Sequence, residues 1–243
     1  MNAKKNLLFI FVLITSFSVS AQKRAFTIED LYKIKNLSAP VLSNSGEKIA
    51  FTVTEYDLPK GKTTTNLYVM NTNGSSLISV SNTLAGAYSP FWSSADELYV
   101  LYKNQVYKYS LDTKDTIRVT DFYAGIQDPA LSNDGRYIAF VAELFPECGT
   151  DNDCNKKLEE SSSNGPVQAY IADNLLFRHW TDYKGEKESY LVLFDIKENK
   201  YQTIVKSDVL SSTYMLGGGP KYAFSPDSRV LSYVSTTEKN IAN

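Results

Sequence analysis

Asp128-Pro129-Ala130-Leu131-Ser132-Asn133-Asp134-Gly135-Arg136-Tyr137-Ile138-Ala139-Phe140 reads as a strand, a tight turn and a second strand. Asn133-Asp134-Gly135 is a strong hairpin turn, because Gly and Asn tolerate positive φ. The apolar run Tyr137 to Val141 that follows suits a strand buried on both faces. The same pattern recurs at Ala39-Pro40-Val41-Leu42-Ser43-Asn44-Ser45-Gly46, followed by Ile49-Ala50-Phe51. It recurs again from Ser89-Pro90-Phe91-Trp92-Ser93 to Leu98-Tyr99-Val100, and from Tyr222-Ala223-Phe224-Ser225-Pro226-Asp227-Ser228 to Leu231-Ser232-Tyr233. The aligned serines are Ser43, Ser93, Ser132 and Ser225, separated by 50, 39 and 93 residues.

A second hairpin follows each of the first three copies. Asn66–Met70 and Leu77–Val80 flank Asn71–Gly74; Gln105–Tyr109 and Thr116–Val119 flank Asp112–Asp115; Ser189–Phe194 and Tyr201–Val205 flank Lys197–Lys200. Four strands per unit, at a period of about 40 to 50 residues, describe propeller blades. The predicted fold class is all-β. It is an incomplete β-propeller of four-stranded antiparallel blades, with three blades and the start of a fourth. The long step holds an insertion in the third blade, from about Glu143 to Glu188. A long loop inside a regular repeat is usually functional or an interface.

Composition agrees. Aromatic residues make up 13% of the chain and include 17 Tyr, which favours strands. Blade packing accounts for them better than a base-stacking surface does. A net charge of -2 excludes a strongly basic nucleic-acid binder. One His and two Cys are too few for a Cys/His zinc site, and no cofactor or metal is expected.

The chain opens with Lys4 and Lys5, an apolar run from Leu7 to Phe17, and Ser18-Val19-Ser20-Ala21. This is the pattern of a secretory signal peptide, residues 1–21, cut after Ala21. The apolar run is shorter than the roughly 20 residues that a span needs, and no other segment is apolar enough to cross. The propeller segment is then residues 22–243, with a charge of 23 minus 27, or -4, in a secreted or periplasmic location. In an oxidising compartment Cys148 and Cys154 read as a local disulfide, worth roughly 2 kcal/mol for so short a loop. Two free thiols are the alternative.

Thr27 and Asp30 have capping-box spacing, and Ile28, Leu31 and Ile34 share one helical face, which predicts a short helix over 28–35. No G-x-S-x-G elbow occurs. His179 has no nucleophile motif to pair with, so it reads as a packed or rim residue. Asp151–Asn155 echoes a calcium loop but has Lys156 at position six and Ser162 at position twelve, so a solvated acidic turn is expected. Gly61-Lys62-Thr63 lacks the first glycine of a phosphate loop. No residue is assigned as catalytic.

Phe26-Thr27-Ile28-Glu29-Asp30-Leu31, Leu37–Ser43 and Lys48–Phe51, with Pro146-Glu147-Cys148, Cys154 and Phe177-Arg178-His179-Trp180-Thr181-Asp182-Tyr183, resemble the propeller of prolyl oligopeptidase-family serine peptidases. The acylaminoacyl-peptidase and secreted dipeptidyl-peptidase branch is the nearest. The resemblance implies a propeller ahead of an α/β-hydrolase domain that carries the catalytic serine, aspartate and histidine. That domain is absent from this sequence, so no catalytic residue carries over. In the intact parent the propeller would restrict access of short peptides to the hydrolase domain, with Arg178, His179 and Trp180 as a substrate-side or interface loop. The alternative is a stand-alone TolB-like propeller serving as a periplasmic binding scaffold.

Overall fold

A computed structural model describes residues 24–165, 178–179, 182–183, 186–206 and 222–234. The signal-peptide segment and Trp180 lie outside the described residues. Three four-stranded antiparallel sheets follow one another along the chain. Blade 1 is β1 (Asn36–Leu42), β2 (Lys48–Asp57), β3 (Lys62–Asn71) and β4 (Ile78–Ser79). Blade 2 is β5 (Tyr88–Trp92), β6 (Leu98–Tyr102), β7 (Gln105–Tyr109) and β8 (Thr116–Arg118). Blade 3 starts with β9 (Gln127–Leu131) and β10 (Tyr137–Leu144) and is completed after the insertion by β13 (Glu188–Asp195) and β14 (Lys200–Lys206). The insertion holds β11 (Arg178–His179) and β12 (Asp182–Tyr183). A fourth blade begins with β15 (Tyr222–Phe224) and β16 (Leu231–Tyr233). First strands of neighbouring blades lie together, β1 on β5 and β9 on β15. The architecture is the open β-propeller that the repeat predicts.

The two-residue period of a strand divides each second strand between two neighbours. In β10, Ile138, Phe140, Ala142 and Leu144 pack toward blade 2, beside Leu101, Val106 and Phe122. Ala139 and Val141 pack toward Tyr222 of blade 4. In β6, Leu98 and Val100 join Ala50, Leu67 and Val69 of blade 1, while Tyr99 and Leu101 join the core shared with blade 3. Aromatic pairs reinforce that core: Phe122 meets Phe140 edge-on at 5.3 Å, and Phe194 stacks on Tyr201 at 4.3 Å. Burial pushes the Tyr99 hydroxyl up to about 12. Beyond blade 1 no such partner packs among the described residues, and Leu37 and Leu42 stand 69% and 57% exposed.

The four aligned serines build four copies of one turn. In each, the serine N–H donates to the carbonyl of the returning strand: Ser43 to Lys48 (2.8 Å), Ser93 to Glu97 (3.0 Å), Ser132 to Tyr137 (2.8 Å) and Ser225 to Val230 (2.8 Å). Each serine Oγ accepts the N–H of the same residue, at 2.9–3.1 Å. The residue three positions after the serine takes positive φ: Gly46 (74°), Asp96 (58°), Gly135 (70°) and Ser228 (61°). Of the Asn133-Asp134-Gly135 turn, only Gly135 enters the left-handed region.

The turns also clasp one another. Asn44 Nδ2 donates to the Ser94 carbonyl (3.2 Å) and the Ser45 N–H to Asp96 Oδ1 (3.0 Å). Ser94 Oγ donates to the Asn133 carbonyl. Asn133 Nδ2 donates to the Pro226 carbonyl (2.9 Å) and the Asp134 N–H to Ser228 Oγ (2.9 Å). A line of hydrogen bonds thus runs from blade 1 to blade 4 along the lower face.

One expectation changes. The predicted helix over 28–35 is confined to α1 (Ile28–Leu31). Thr27 N–H does donate to the Asp30 carboxylate (3.1 Å), as the capping pattern implies. However, Asn36 already pairs with Thr54, so the chain must extend within four residues of Leu31. Gly61, already set aside as a phosphate loop for want of the first glycine, closes a 3-10 turn over Leu58–Lys60 with φ 59°.

Phe140 is fully buried between blades 2 and 3. Phe140→Ala is expected to destabilise the chain by about 3–5 kcal/mol, read as a shift in the denaturant midpoint. The turn carboxylates Asp96, Asp134 and Asp227 are all held below the ordinary carboxylate value, chiefly by serine hydrogen bonds. Their contribution is therefore whole above the unfolded value of about 3.9 and is lost as pH falls below it through the folded values. Asp96→Ala should flatten the acid limb of the stability profile, measured by urea unfolding between about pH 3 and pH 7.

Candidate functional site: the arm of the third blade

The arm leaves β10 at Leu144 and rejoins β13 at Glu188, two residues paired with each other. Gln127, at the start of β9, pairs with Val141 near the same end. The arm therefore rises from the upper face, opposite the serine turns. Cys148 and Cys154 are joined, with Cα atoms 5.5 Å apart. The disulfide closes the loop that leads into α2 (Asn152–Ser163).

This helix is a finding that the sequence reading did not contain. The expected solvated acidic turn at Asp151–Asn155 is a helix start, with the Asp151 carboxylate accepting the Cys154 N–H at 2.9 Å. The helix is polar nearly all round, so it carries no 3.6-residue apolar period. The Asp cap and the Lys156–Glu160 pair at i,i+4 were the only signals for it.

Two asparagines seat the arm. Asn155, only 3% exposed, accepts the Phe145 N–H (3.0 Å) and donates to the carbonyls of Gly149 (2.9 Å) and Asp151 (2.7 Å). Asn152 reaches across to the segment joining blades 2 and 3, accepting the Tyr123 N–H (2.9 Å) and donating to the Asp121 carbonyl (3.0 Å). The Tyr201 hydroxyl accepts the Asp121 N–H at 3.0 Å, so the same segment is held from blade 3 as well. At the far root Lys187 pairs with Glu159 of α2 and lies 5.5 Å from the Phe145 ring centre, with its pKa lowered by burial.

Of the residues singled out from sequence, Cys148 and Cys154 are brought together. Arg178 and His179 lie on β11, paired with Tyr183 and Asp182 of β12. Trp180 is outside the described residues. Among the described residues there is no cluster of three or more His, Cys, Asp or Glu able to hold a metal ion. No helix among them is long and apolar enough to cross a membrane.

No family model and no curated protein matches the chain. Solved structures do. The chain is similar to acylaminoacyl peptidase of Pyrococcus horikoshii in its orthorhombic crystal form, at 14% identity and a TM-score of 0.52 over 73% of this chain and 25% of that one. The uncomplexed form of the same enzyme aligns at 16% identity and a TM-score of 0.50, over 72% and 25% of the two chains. The β-propeller domain of the Trilobed protease from Pyrococcus furiosus aligns at 15% identity and a TM-score of 0.41, over 72% and 43%. The chain is an open β-propeller segment. Its blades are built like a part of acylaminoacyl peptidase, and it spans about a quarter of the length of those peptidase structures.

Asn155→Ala removes three hydrogen bonds and leaves the buried Phe145 N–H without its acceptor, a cost of about 1–3 kcal/mol. Amide exchange in the 145–155 loop should accelerate while the blade strands keep their protection. The disulfide has its own check. Thiol blocking of unreduced protein should leave its intact mass unchanged, and blocking after reduction should add two adducts.

Proposed function

We propose that residues 22–243 are exported and act as the propeller part of a serine exopeptidase, restricting the access of short peptides to a hydrolase domain in a longer product. The observation that carries this reading is the likeness of the blade arc to acylaminoacyl peptidase, together with the single quarter of that enzyme it covers. The Cys148–Cys154 bridge supports export, since such bridges persist in oxidising compartments. Arg178, His179 and Trp180 belong to the arm and would face substrate or the hydrolase domain.

The test is to read the coding sequence past Asn243 and assay both products on dipeptidyl and acylaminoacyl reporters. The longer product is expected to turn over reporter and to be silenced by a serine-directed fluorophosphonate. Residues 22–243 alone should show only background. A stop codon immediately after Asn243 would overturn the peptidase reading, leaving a TolB-like scaffold if the chain is inert. His179-dependent turnover by residues 22–243 alone would overturn it too, by placing a catalytic group in the propeller itself.

A further inference from the structure

The connection from β3 to β4 lies on the lower face beside the first serine turn, where the Thr72 N–H donates to the Glu47 carbonyl (2.9 Å). It carries Asn73-Gly74-Ser75, all three exposed. Asparagine is followed by glycine at one other place in the sequence, Asn164-Gly165 at the end of α2. In such a pair the glycine nitrogen and the asparagine Cγ can close a small ring, and glycine has no Cβ to obstruct the approach. Ring closure of this kind gains from any structure that holds the two ends together.

Around Asn73 the turn gathers two donors on one atom. The Ser75 N–H (3.0 Å) and the Ser75 hydroxyl (2.7 Å) both donate to Asn73 Oδ1. A backbone N–H can only donate, so it fixes the oxygen rather than the nitrogen of the amide on this side. Ser75 Oγ in turn accepts Asn71 Nδ2 (2.9 Å), which leaves its own hydrogen for Asn73. The Asn71 N–H donates to the Ser75 carbonyl and the Gly74 N–H to the Asn71 carbonyl, each at 2.9 Å. The Asn73 amide is thus drawn over the Gly74 peptide, and its Nδ2 has no hydrogen-bond partner among the described residues. Asn164 is exposed as well but differs. Its N–H donates to the Glu160 carbonyl (3.0 Å), and no donor meets its side-chain oxygen among the described residues.

We propose that Asn73 is a self-modifying site, converted to aspartate and isoaspartate through the Gly74 nitrogen. Solvent base removes the Gly74 N–H proton, the nitrogen bonds to Asn73 Cγ, and negative charge gathers on Oδ1. The two Ser75 donors are already aimed at that oxygen and stabilise the charge as it develops. The Cγ–Nδ2 bond then breaks, and the nitrogen takes up a proton from water and leaves as ammonia. Water opens the succinimide so formed at either of its carbonyls, giving aspartate or isoaspartate. No oxidant, cofactor or second protein takes part. Isoaspartate lengthens the main chain by a methylene beside the Thr72–Glu47 tether, so the first serine turn bears the consequence. The site requires neither export nor a hydrolase domain.

The test is to incubate the full chain at neutral pH and follow both asparagines by peptide mass spectrometry, with fragmentation that separates isoaspartate from aspartate. Asn73 should lose its amide at least about fivefold faster than Asn164. Ser75→Ala keeps the N–H donor and removes the hydroxyl donor, and should slow the loss at Asn73 at least about threefold without changing Asn164. Ser75→Thr restores a hydroxyl and should restore the rate. A second measurement needs no variant: in denaturing urea, where the turn is gone, Asn73 should react more slowly than in the folded chain. An intact Asn73 in the folded chain, a rate that holds or rises in urea, or a folded Ser75→Ala chain that reacts as fast as the parent would each overturn the site. Acceleration by Ser75→Ala is the result expected of a turn that merely restrains Asn73, so the sign of the change separates the two roles.

Discussion

Everything in this fold depends on blades staying in register with their neighbours, and the serine turn enforces that register. One serine does two tasks within each copy. Its N–H closes the turn and its Oγ takes up the N–H of the returning strand, as at Ser132 with Tyr137. The turn so formed is rigid enough to offer outward groups at fixed positions. Asn44, Ser45, Ser94, Asn133 and Asp134 use those positions to reach the next blade. Individually each bond contributes about 1 kcal/mol. Together they set where every first strand sits, and hence how the apolar faces of β6 and β10 meet their partners.

The blade pattern was legible because it repeats and because each part has a local cause. Gly46 and Gly135 mark the positive-φ site directly. Asp96 and Ser228 occupy the same site without the glycine signal, and only the alignment of the serines locates them. The Tyr137–Val141 run showed that β10 is buried on both faces. Which face meets which blade depends on long-range packing that no local pattern encodes. The turn-to-turn clasp was equally hidden, since its partners lie 50, 39 and 93 residues apart between Asn44 and Ser94, Ser94 and Asn133, and Asn133 and Pro226.

The arm was visible as an interruption and invisible as a structure. The two cysteines announced their bridge by spacing. The polar helix α2 did not announce itself, because its stability comes from a cap, a disulfide at its first turn and the contacts of two asparagines, one of them buried, rather than from an apolar stripe. Helix α1 errs the other way. Its apolar period is clear, yet Ile28 is 65% exposed and the helix lasts only four residues before strand pairing claims the chain.

The parity of β10 has a consequence for how such a chain can evolve. Toward blade 2 the strand offers Phe140 and Leu144; toward blade 4 it offers the smaller Ala139 and Val141. In β6 the side that meets blade 1 carries Leu98 and Val100, and the opposite side carries Tyr99 and Leu101. Each seam is therefore a distinct lock whose two halves fit only each other. Although the turns look like interchangeable modules, exchanging blade 2 with blade 3 would set bulky faces against bulky ones and leave gaps at the seams between small ones. Gene duplication can add blades to this architecture, but once the seams have diverged the order of the blades is frozen.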